Sequence, residues 1–449
     1  MQPIKINRRS VLKSALYFGA VVLTNGQLIR GNSPNDKLNI ACIGVGGRGA
    51  QTLPDFMRED NIAAVVDVDE LRGAPGFALC PNAKKFQDWR VLFDKMSNQI
   101  DAVVVSTPDH AHYHPAMAAL DLKKHLFCEK PLAHSVYECR RITERAAEQG
   151  VQTQLGNMRH AYPNFRRVVE LVQSGVLGPI TEVHAGLWGG SRGMPKFPQV
   201  VVPPPSTIRW DLWIGPAKMR PYAIMSEKDD RSQGSMGDYA PYYWKFWWDF
   251  GTGESGNWGC HVMDIPYWAL DLKYPTHVKA YGEPVDEFRT PRIMTTEYQF
   301  PASGARPACK LVWDVSGKPA CQKLWRGKEP FPRTYGAAFV GRKGVLFSSF
   351  DRYWVFMNDD SECPVPPKTI PESPGFFQEW TRACKGQAPK PTCSFEYSGP
   401  LAETTILANV AYRSKAIDGF QWDPVGLHAI GCPAAQELIK PELYNGYVY

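Results

Sequence analysis

The chain has no apolar run long enough to cross a bilayer, because a spanning helix needs about 20 consecutive apolar residues. Its eleven cysteines are scattered and odd in number, with no Cys-x-x-Cys pair. That excludes a zinc ribbon or a redox dithiol, and no disulfide framework is expected. No segment is of low complexity and no repeat recurs at solenoid periods, so stacked-repeat architectures fall away. Charge of one sign is also scarce. The formal charge is +6, but Lys5, Arg8, Arg9, Lys13 and Arg30 lie in the first thirty residues, which carry no acid. The rest of the chain is nearly neutral and offers nucleic acid no basic field.

What is present begins with a leader. Asn7-Arg8-Arg9-Ser10-Val11-Leu12-Lys13 supplies twin arginines, and Ala15 to Leu23 is a short, moderately apolar stretch. The pattern resembles a twin-arginine export signal, which carries folded proteins out of the cytoplasm. A periplasmic or otherwise exported protein, free of the membrane after signal removal, is the expectation. The divisions are 1–33 for signal and linker, 34–155 for a nucleotide-binding domain and 156–449 for a second domain.

From Lys37 to about Leu155, short apolar strands alternate with helical stretches. The strands are Leu38–Ile43, Ile62–Val66, Ala102–Ser106, His125–Cys128 and Val151–Gln154; the helices include Tyr113–Leu120 and Ser135–Gln149. Such alternation predicts an α/β fold with a parallel Rossmann sheet, whose ligands bind at the carboxyl ends of the strands. Beyond Gly156 the texture changes to strands at Ile180–Leu187, Arg292–Phe300, Lys310–Asp314, Ala337–Val340 and Gly344–Phe347. These predict a large, open, mostly antiparallel sheet. Between them runs a loop-rich stretch from Trp188 to Thr252, and eight of the fourteen Trp fall between Trp188 and Trp268. A helix from Ser398 to about Arg413 and an extended tail close the chain.

Gly44-Val45-Gly46-Gly47-Arg48-Gly49 sits between a strand and the helical stretch Ala50–Met57. Gly44, Gly46, Gly47 and Gly49 allow the turn and the close approach that a pyrophosphate at a helix N-terminus requires. Asp67 ends the second strand, eighteen residues past Gly49, where a carboxylate can bond a ribose hydroxyl. That favours NAD, while Arg48 and Arg72 keep NADP open. Ser106, Thr107, Pro108 and His112 come after a third strand and are expected in the same crevice. Asn157, just past the fifth strand, is grouped with them. His110, His112 and His114 lack an accompanying carboxylate or thiolate pattern, so no metal site is expected.

Glu129-Lys130-Pro131 closes the strand His125–Cys128. A lysine there points into the cofactor crevice and can donate to a substrate oxygen; Glu129 can pair with it or hold a ribose. Asn257, His261 and Asp264 stand at spacings of four and three, one face of a regular helix. His261 is the natural base for a hydroxyl losing hydride from its carbon, with Asp264 orienting it or gripping a substrate hydroxyl. Lys130, His261 and Asp264 are therefore the catalytic candidates. The run Tyr242-Tyr243-Trp244-Lys245-Phe246-Trp247-Trp248 offers Tyr243 and Trp247 as a platform for a sugar ring, or equally a core or subunit interface.

Together, Gly44–Gly49, Asp67, Thr107-Pro108, Glu129-Lys130-Pro131 and Asn257–Asp264 resemble the glucose–fructose oxidoreductase / inositol dehydrogenase (Gfo/Idh/MocA) family. The resemblance implies a Rossmann domain followed by an α/β domain whose open sheet builds homo-oligomers. It implies action on sugars and cyclitols, with proton transfer at Lys130 and His261. Many members carry Asp where this chain has Asn257, and an amide cannot relay a proton, so base duty falls to His261 and Lys130.

Three functions fit these residues. The first is an NAD(P)-dependent oxidoreductase acting on a ring hydroxyl of a sugar, sugar derivative or cyclitol. The second is a redox-neutral, NAD-dependent glycoside hydrolase working through a transient keto-sugar with retained cofactor. The third is a non-catalytic, cofactor-bearing binding or regulatory protein.

Overall fold

The apolar runs between Asn39 and Leu155 form one six-stranded sheet. Its strands are β1 (Asn39–Ile43), β2 (Asn61–Val66), β3 (Lys84–Phe86), β4 (Ala102–Val105), β5 (His125–Cys128) and β6 (Thr153–Leu155). Their spatial order is β3-β2-β1-β4-β5-β6, with every pairing parallel. This is the doubly wound nucleotide-binding order, and its strand sequence reverses between β1 and β4. Ala102 to Val105 are all buried, as befits a strand covered by helices on both faces. The structure, a computed structural model, describes residues 37–190, 200–224, 239, 242–332 and 334–449. The twin-arginine segment lies outside the described residues.

A second sheet begins at β7 (Ile180–Gly186). The ribbon β8 (Val200–Val201) and β9 (Ala223–Ile224) stands apart from it. The sheet continues through β10 (His277–Gly282), β11 (Met294–Phe300), β12 (Cys309–Asp314), β13 (Gly336–Gly341), β14 (Gly344–Ser348) and β15 (Tyr353–Met357), and ends with β16 (Phe420–Asp423) and β17 (His428–Ile430). Its nine strands run β15-β14-β13-β7-β12-β11-β10-β16-β17. All of its pairings are antiparallel except that between β12 and β7. The α/β class and the large antiparallel sheet stand as expected.

Two helices tie the sheets together. Phe395–Arg413 is buried along most of its length and packs between helix Val136–Gln149 and β10. Inside that contact, Arg140 makes a two-pronged ion pair with Glu403 at 3.0 and 2.9 Å. Helix Phe376–Cys384 packs on helix Arg48–Met57, where Phe56 meets Phe377 and Trp380 edge-on. Leu155 N donates to Cys393 O, stitching the parallel sheet to the later chain. All eleven cysteines are free thiols, and Cys42 and Cys128 are buried in β1 and β5.

Candidate functional site

A cavity of about 430 Å³ opens at the carboxyl ends of β1, β2, β4 and β5, the topological switch point of the parallel sheet. Gly44 leaves β1 with φ 82°, and a Cβ on it would come within 2.7 Å of Ser106 O. Gly49 lets the helix start against the turn: a Cβ there would lie 1.9 Å from Gly44 O. Helix Arg48–Met57 has no side-chain cap at its N-terminus; Gly49 N donates to Gly46 O within the turn, and the end of the helix is otherwise open to an anion. Ser106 Oγ and Thr107 Oγ1 are buried without a partner among the described residues. Both residues line the cavity. A glycine cradle, uncapped amides and orphaned hydroxyls fit a dinucleotide pyrophosphate.

Asp67 also lines this cavity. Its carboxylate accepts from Val45 N at 3.0 Å, Gly46 N at 2.8 Å and Asp69 N at 3.0 Å, so it ties the glycine turn to β2. Burial raises its pKa to about 6 against those hydrogen bonds, which lower it. Glu129, buried beyond β5, accepts from Arg48 Nε at 3.0 Å.

Lys130 Nζ donates to Asn257 O at 2.9 Å and to Asn257 Oδ1 at 2.8 Å. Asn257 Nδ2 in turn donates to Glu254 Oε2 at 2.9 Å. The amide at 257 thus stands between the lysine and a buried carboxylate, joining them without itself being charged. His261 comes four residues after Asn257; Asn257 is part of the cavity lining and His261 is not. His261 is half-buried. Burial first, then the charges of Lys130, Arg159 and Arg48, hold its pKa well below the usual imidazole range. It is neutral near pH 7, the form a base needs, and its Nδ1 is buried without a partner among the described residues.

Several expected site residues stand elsewhere. Asp264 does not orient His261. Residues Ser255–Gly259 form a π turn and the helix is broken at Met263, so the regular one-face spacing fails. Asp264 turns inward instead, within 2.9 Å of His160 Nδ1, and accepts from Tyr397 Oη at 2.5 Å. It is fully buried, and the His160 ring stacks on Trp268 at 4.0 Å. His112 is a strut, its ring nitrogens set against Pro131 O at 2.9 Å and Thr107 O at 2.7 Å. It holds the cavity wall rather than reaching the cavity. Asn157 is buried and donates to Cys260 O at 2.8 Å, bracing the turn before His261. Gly49 acts through its lack of a side chain and is absent from the lining. Trp247 is buried in an aromatic core with Trp210, Trp213, Tyr239 and Phe250, and Tyr243 packs against that core. The neighbours that reach the cavity are Tyr242, Trp244 and Lys245.

Other residues near the site are not read from the sequence. Arg159 lies over the rings of Tyr162 and Phe350 at 4.7 and 4.9 Å. Phe350 and Trp258 flank the His261 ring at 6.4 and 6.2 Å, and Tyr335 stacks on Phe350 at 4.1 Å. Trp89, Trp213 and Tyr447 wall the far end of the cavity. Of these, Trp258 alone has a signal beside it, the neighbouring Asn257. The three nearby histidines form no metal group among the described residues. His110 bonds Trp213 O at 2.9 Å and His114 bonds Val448 O at 3.1 Å, so each of the three ties a different segment.

The geometry agrees with what the chain resembles. Residues 38–157 match the model of the GFO_IDH_MocA oxidoreductase family, NAD-binding Rossmann fold. Inositol 2-dehydrogenase 2 of Saccharopolyspora erythraea is 34% identical over 152 residues, 33% of this chain and 44% of that protein. The 2,7-anhydro-N-acetylneuraminate hydratase of Escherichia coli is 29% identical over 149 residues, 33% of this chain and 39% of that protein. The chain therefore spans less than half the length of these curated relatives. The crystal structure of the WlbA dehydrogenase from Bordetella pertussis, in complex with NADH and UDP-GlcNAcA, superposes with a TM-score of 0.59. That likeness comes at 14% identity and covers 86% of this chain and all of the other. The fold is shared well beyond the stretch of sequence similarity. Over residues 38–157 the chain resembles the NAD-binding Rossmann domain of the Gfo/Idh/MocA oxidoreductase family.

Proposed function

We propose that the chain is an NAD-dependent oxidoreductase acting on a ring hydroxyl of a sugar, sugar derivative or cyclitol. The observation that carries this reading is that Lys130 lies in one cavity with the Gly44–Gly47 cradle and is held there by Asn257, four residues before His261. Bound NAD supplies the hydride acceptor. His261, half-buried and neutral, takes the hydroxyl proton. Lys130 donates a hydrogen bond to the oxygen as negative charge develops there. Asn257 and Glu254 fix the ammonium. Trp258, half-buried beside His261, and Tyr335, stacked on Trp258, supply apolar surface for the C–H side of a ring. A cyclitol is also the substrate for which the related inositol 2-dehydrogenase is named. Arg72 beside the glycine turn keeps NADP in view as an alternative dinucleotide.

Two further expectations belong to this reading: export by the twin-arginine leader and assembly into a homo-oligomer. A redox-neutral cycle with retained cofactor, as in a hydrolase or hydratase working through a keto-sugar, is the second reading. It is favoured by the cover that Leu212, Trp213, Gly215 and Pro216 lay over the dinucleotide end of the cavity. The test is isotopic. Sugars and cyclitols deuterated at ring carbons are incubated with the NAD-loaded protein, and deuterium in the cofactor is measured. Transfer that disappears in Lys130→Ala and His261→Ala supports both readings, and net NADH separates the first from the second. Absence of transfer from every substrate, with cofactor bound, would sink the proposal.

A further inference from the structure

The end of the cavity farthest from Lys130 is closed by chain that does not belong to the parallel sheet. Trp213 and Gly215 come from the short helix Trp210–Ile214 and the turn after it, and Tyr447 comes from the tail. The two segments are fastened to each other. Tyr444 N donates to Pro216 O at 3.0 Å. Asn445 Nδ2 donates to both Gly215 O and Ala217 O at 2.8 Å.

The tail is also fastened to the nucleotide-binding fold. Arg90 donates to Tyr447 Oη at 2.6 Å and lies over its ring at 5.1 Å. The Tyr447 ring meets the His114 ring edge-on at 4.7 Å, and His114 Nε2 bonds Val448 O. Tyr449 packs on Tyr113 and Tyr137. Beside these contacts, His114 Nδ1 is buried without a partner among the described residues, and His114 lines the cavity.

Position identifies what this end receives. Asp67 and Asp69 at the end of β2, Gln87 after β3 and Trp89 face the same space. In a sheet of this order, the adenosine half of a dinucleotide lies on the β2 side of the switch point, with the pyrophosphate over the first glycine turn. An aromatic edge, a flat indole and an orphaned ring nitrogen suit a purine, which has apolar faces and polar edges. We infer that Tyr447 and its tail segment form the outer wall of the adenosine site and set how long the dinucleotide stays bound. The inference rests on the NAD reading above. Nothing in it depends on the chemistry at Lys130.

Release then requires the tail to lift from Arg90 and His114 together, and that coupled opening makes departure slow. Such a wall suits an enzyme that reuses one cofactor over many turnovers. Loss of one aromatic contact and its hydrogen bond predicts roughly tenfold or greater faster release.

The experiment is stopped-flow displacement of NADH from the full chain, followed by its fluorescence, with melting temperature recorded for each variant. Tyr447→Ala is expected to release NADH at least tenfold faster than wild type. Tyr447→Phe, which keeps the ring but loses the Arg90 hydrogen bond, is expected to release NADH faster than wild type and more slowly than Tyr447→Ala. Asn445→Ala, which cuts the anchor to Gly215 and Ala217 without altering the wall itself, is expected to fall between wild type and Tyr447→Ala. Release within twofold of wild type in both Tyr447→Ala and Asn445→Ala, with both folded, overturns the inference. Equal acceleration in Tyr447→Phe and Tyr447→Ala overturns the role given to the ring. Failure of wild type to take up NADH at all would overturn the cofactor reading instead, and the two failures are distinguishable.

Discussion

The two ends of the cavity are built on different principles. The inner end, at β5 and the turn before His261, is polar and mutually fixed: Lys130, Asn257 and Glu254 are linked in series, and Arg48 holds Glu129. The outer end is aromatic, contributed by the segment around Trp213 and by Tyr447. Under the proposed function, inner groups are placed to within a hydrogen bond because proton transfer depends on such placement. The outer groups need only bury a flat surface and hold it. Substitutions at the inner end should therefore change rate, and those at the outer end should change residence.

The largest effect is expected at the inner end. Lys130→Ala should lower turnover by roughly 10²- to 10⁴-fold while NADH still binds, as steady-state rates beside a fluorescence titration would show. Comparable losses in rate and binding would erase the distinction between the ends. Next comes Gly49→Ala. Its Cβ would sit 1.9 Å from Gly44 O, and forcing the turn to move costs about 1–3 kcal/mol. Dinucleotide affinity should fall by one to two orders of magnitude, measured by calorimetry.

Asp67 gives a pH test of intermediate size. A hydroxyl donating to it needs the carboxylate, and burial has raised its pKa to about 6. Affinity for NAD should thus be full above that value and fall as pH drops through it, by about tenfold if one charged hydrogen bond is lost. The fold itself has the opposite sign: a raised carboxyl pKa means this residue costs stability at high pH, and that cost fades as pH falls through about 6. Asp67→Asn should flatten the pH dependence of binding. The smallest effect is expected at Trp247→Phe, a change inside the aromatic core, which should leave substrate KM unmoved; Trp258→Ala beside His261 should raise it.

The contrast between the ends also explains what is legible in the sequence. Gly44–Gly49, Asp67 and Lys130 are local signals, because each sits at a strand end and strand ends meet at the switch point by topology alone. β3 escapes reading because Lys84-Lys85-Phe86 is short and largely exposed. Asp264 is misplaced by a regular spacing of three and four because the π turn at Ser255–Gly259 and the break at Met263 take Asn257, His261 and Asp264 off one regular helix face. Tyr243 and Trp247 are unreadable as platforms for a related reason. Which ring of Tyr242 to Trp248 faces inward is decided by the separate core around Trp210 and Trp213. Tyr447 reaches the cavity from the far end of the chain, and Arg159 reaches Phe350 from one irregular turn. Neither leaves a periodic trace.

The central claim is that Lys130, which lines the dinucleotide cavity, and His261, four residues past the lining residue Asn257, meet at a single alcohol. A crystal structure with NAD and a bound sugar or cyclitol tests it most directly. The account predicts one substrate oxygen within hydrogen-bond reach, about 2.6–3.2 Å, of both Lys130 Nζ and a His261 ring nitrogen. A dinucleotide seated there with its alcohol held away from both side chains would contradict it.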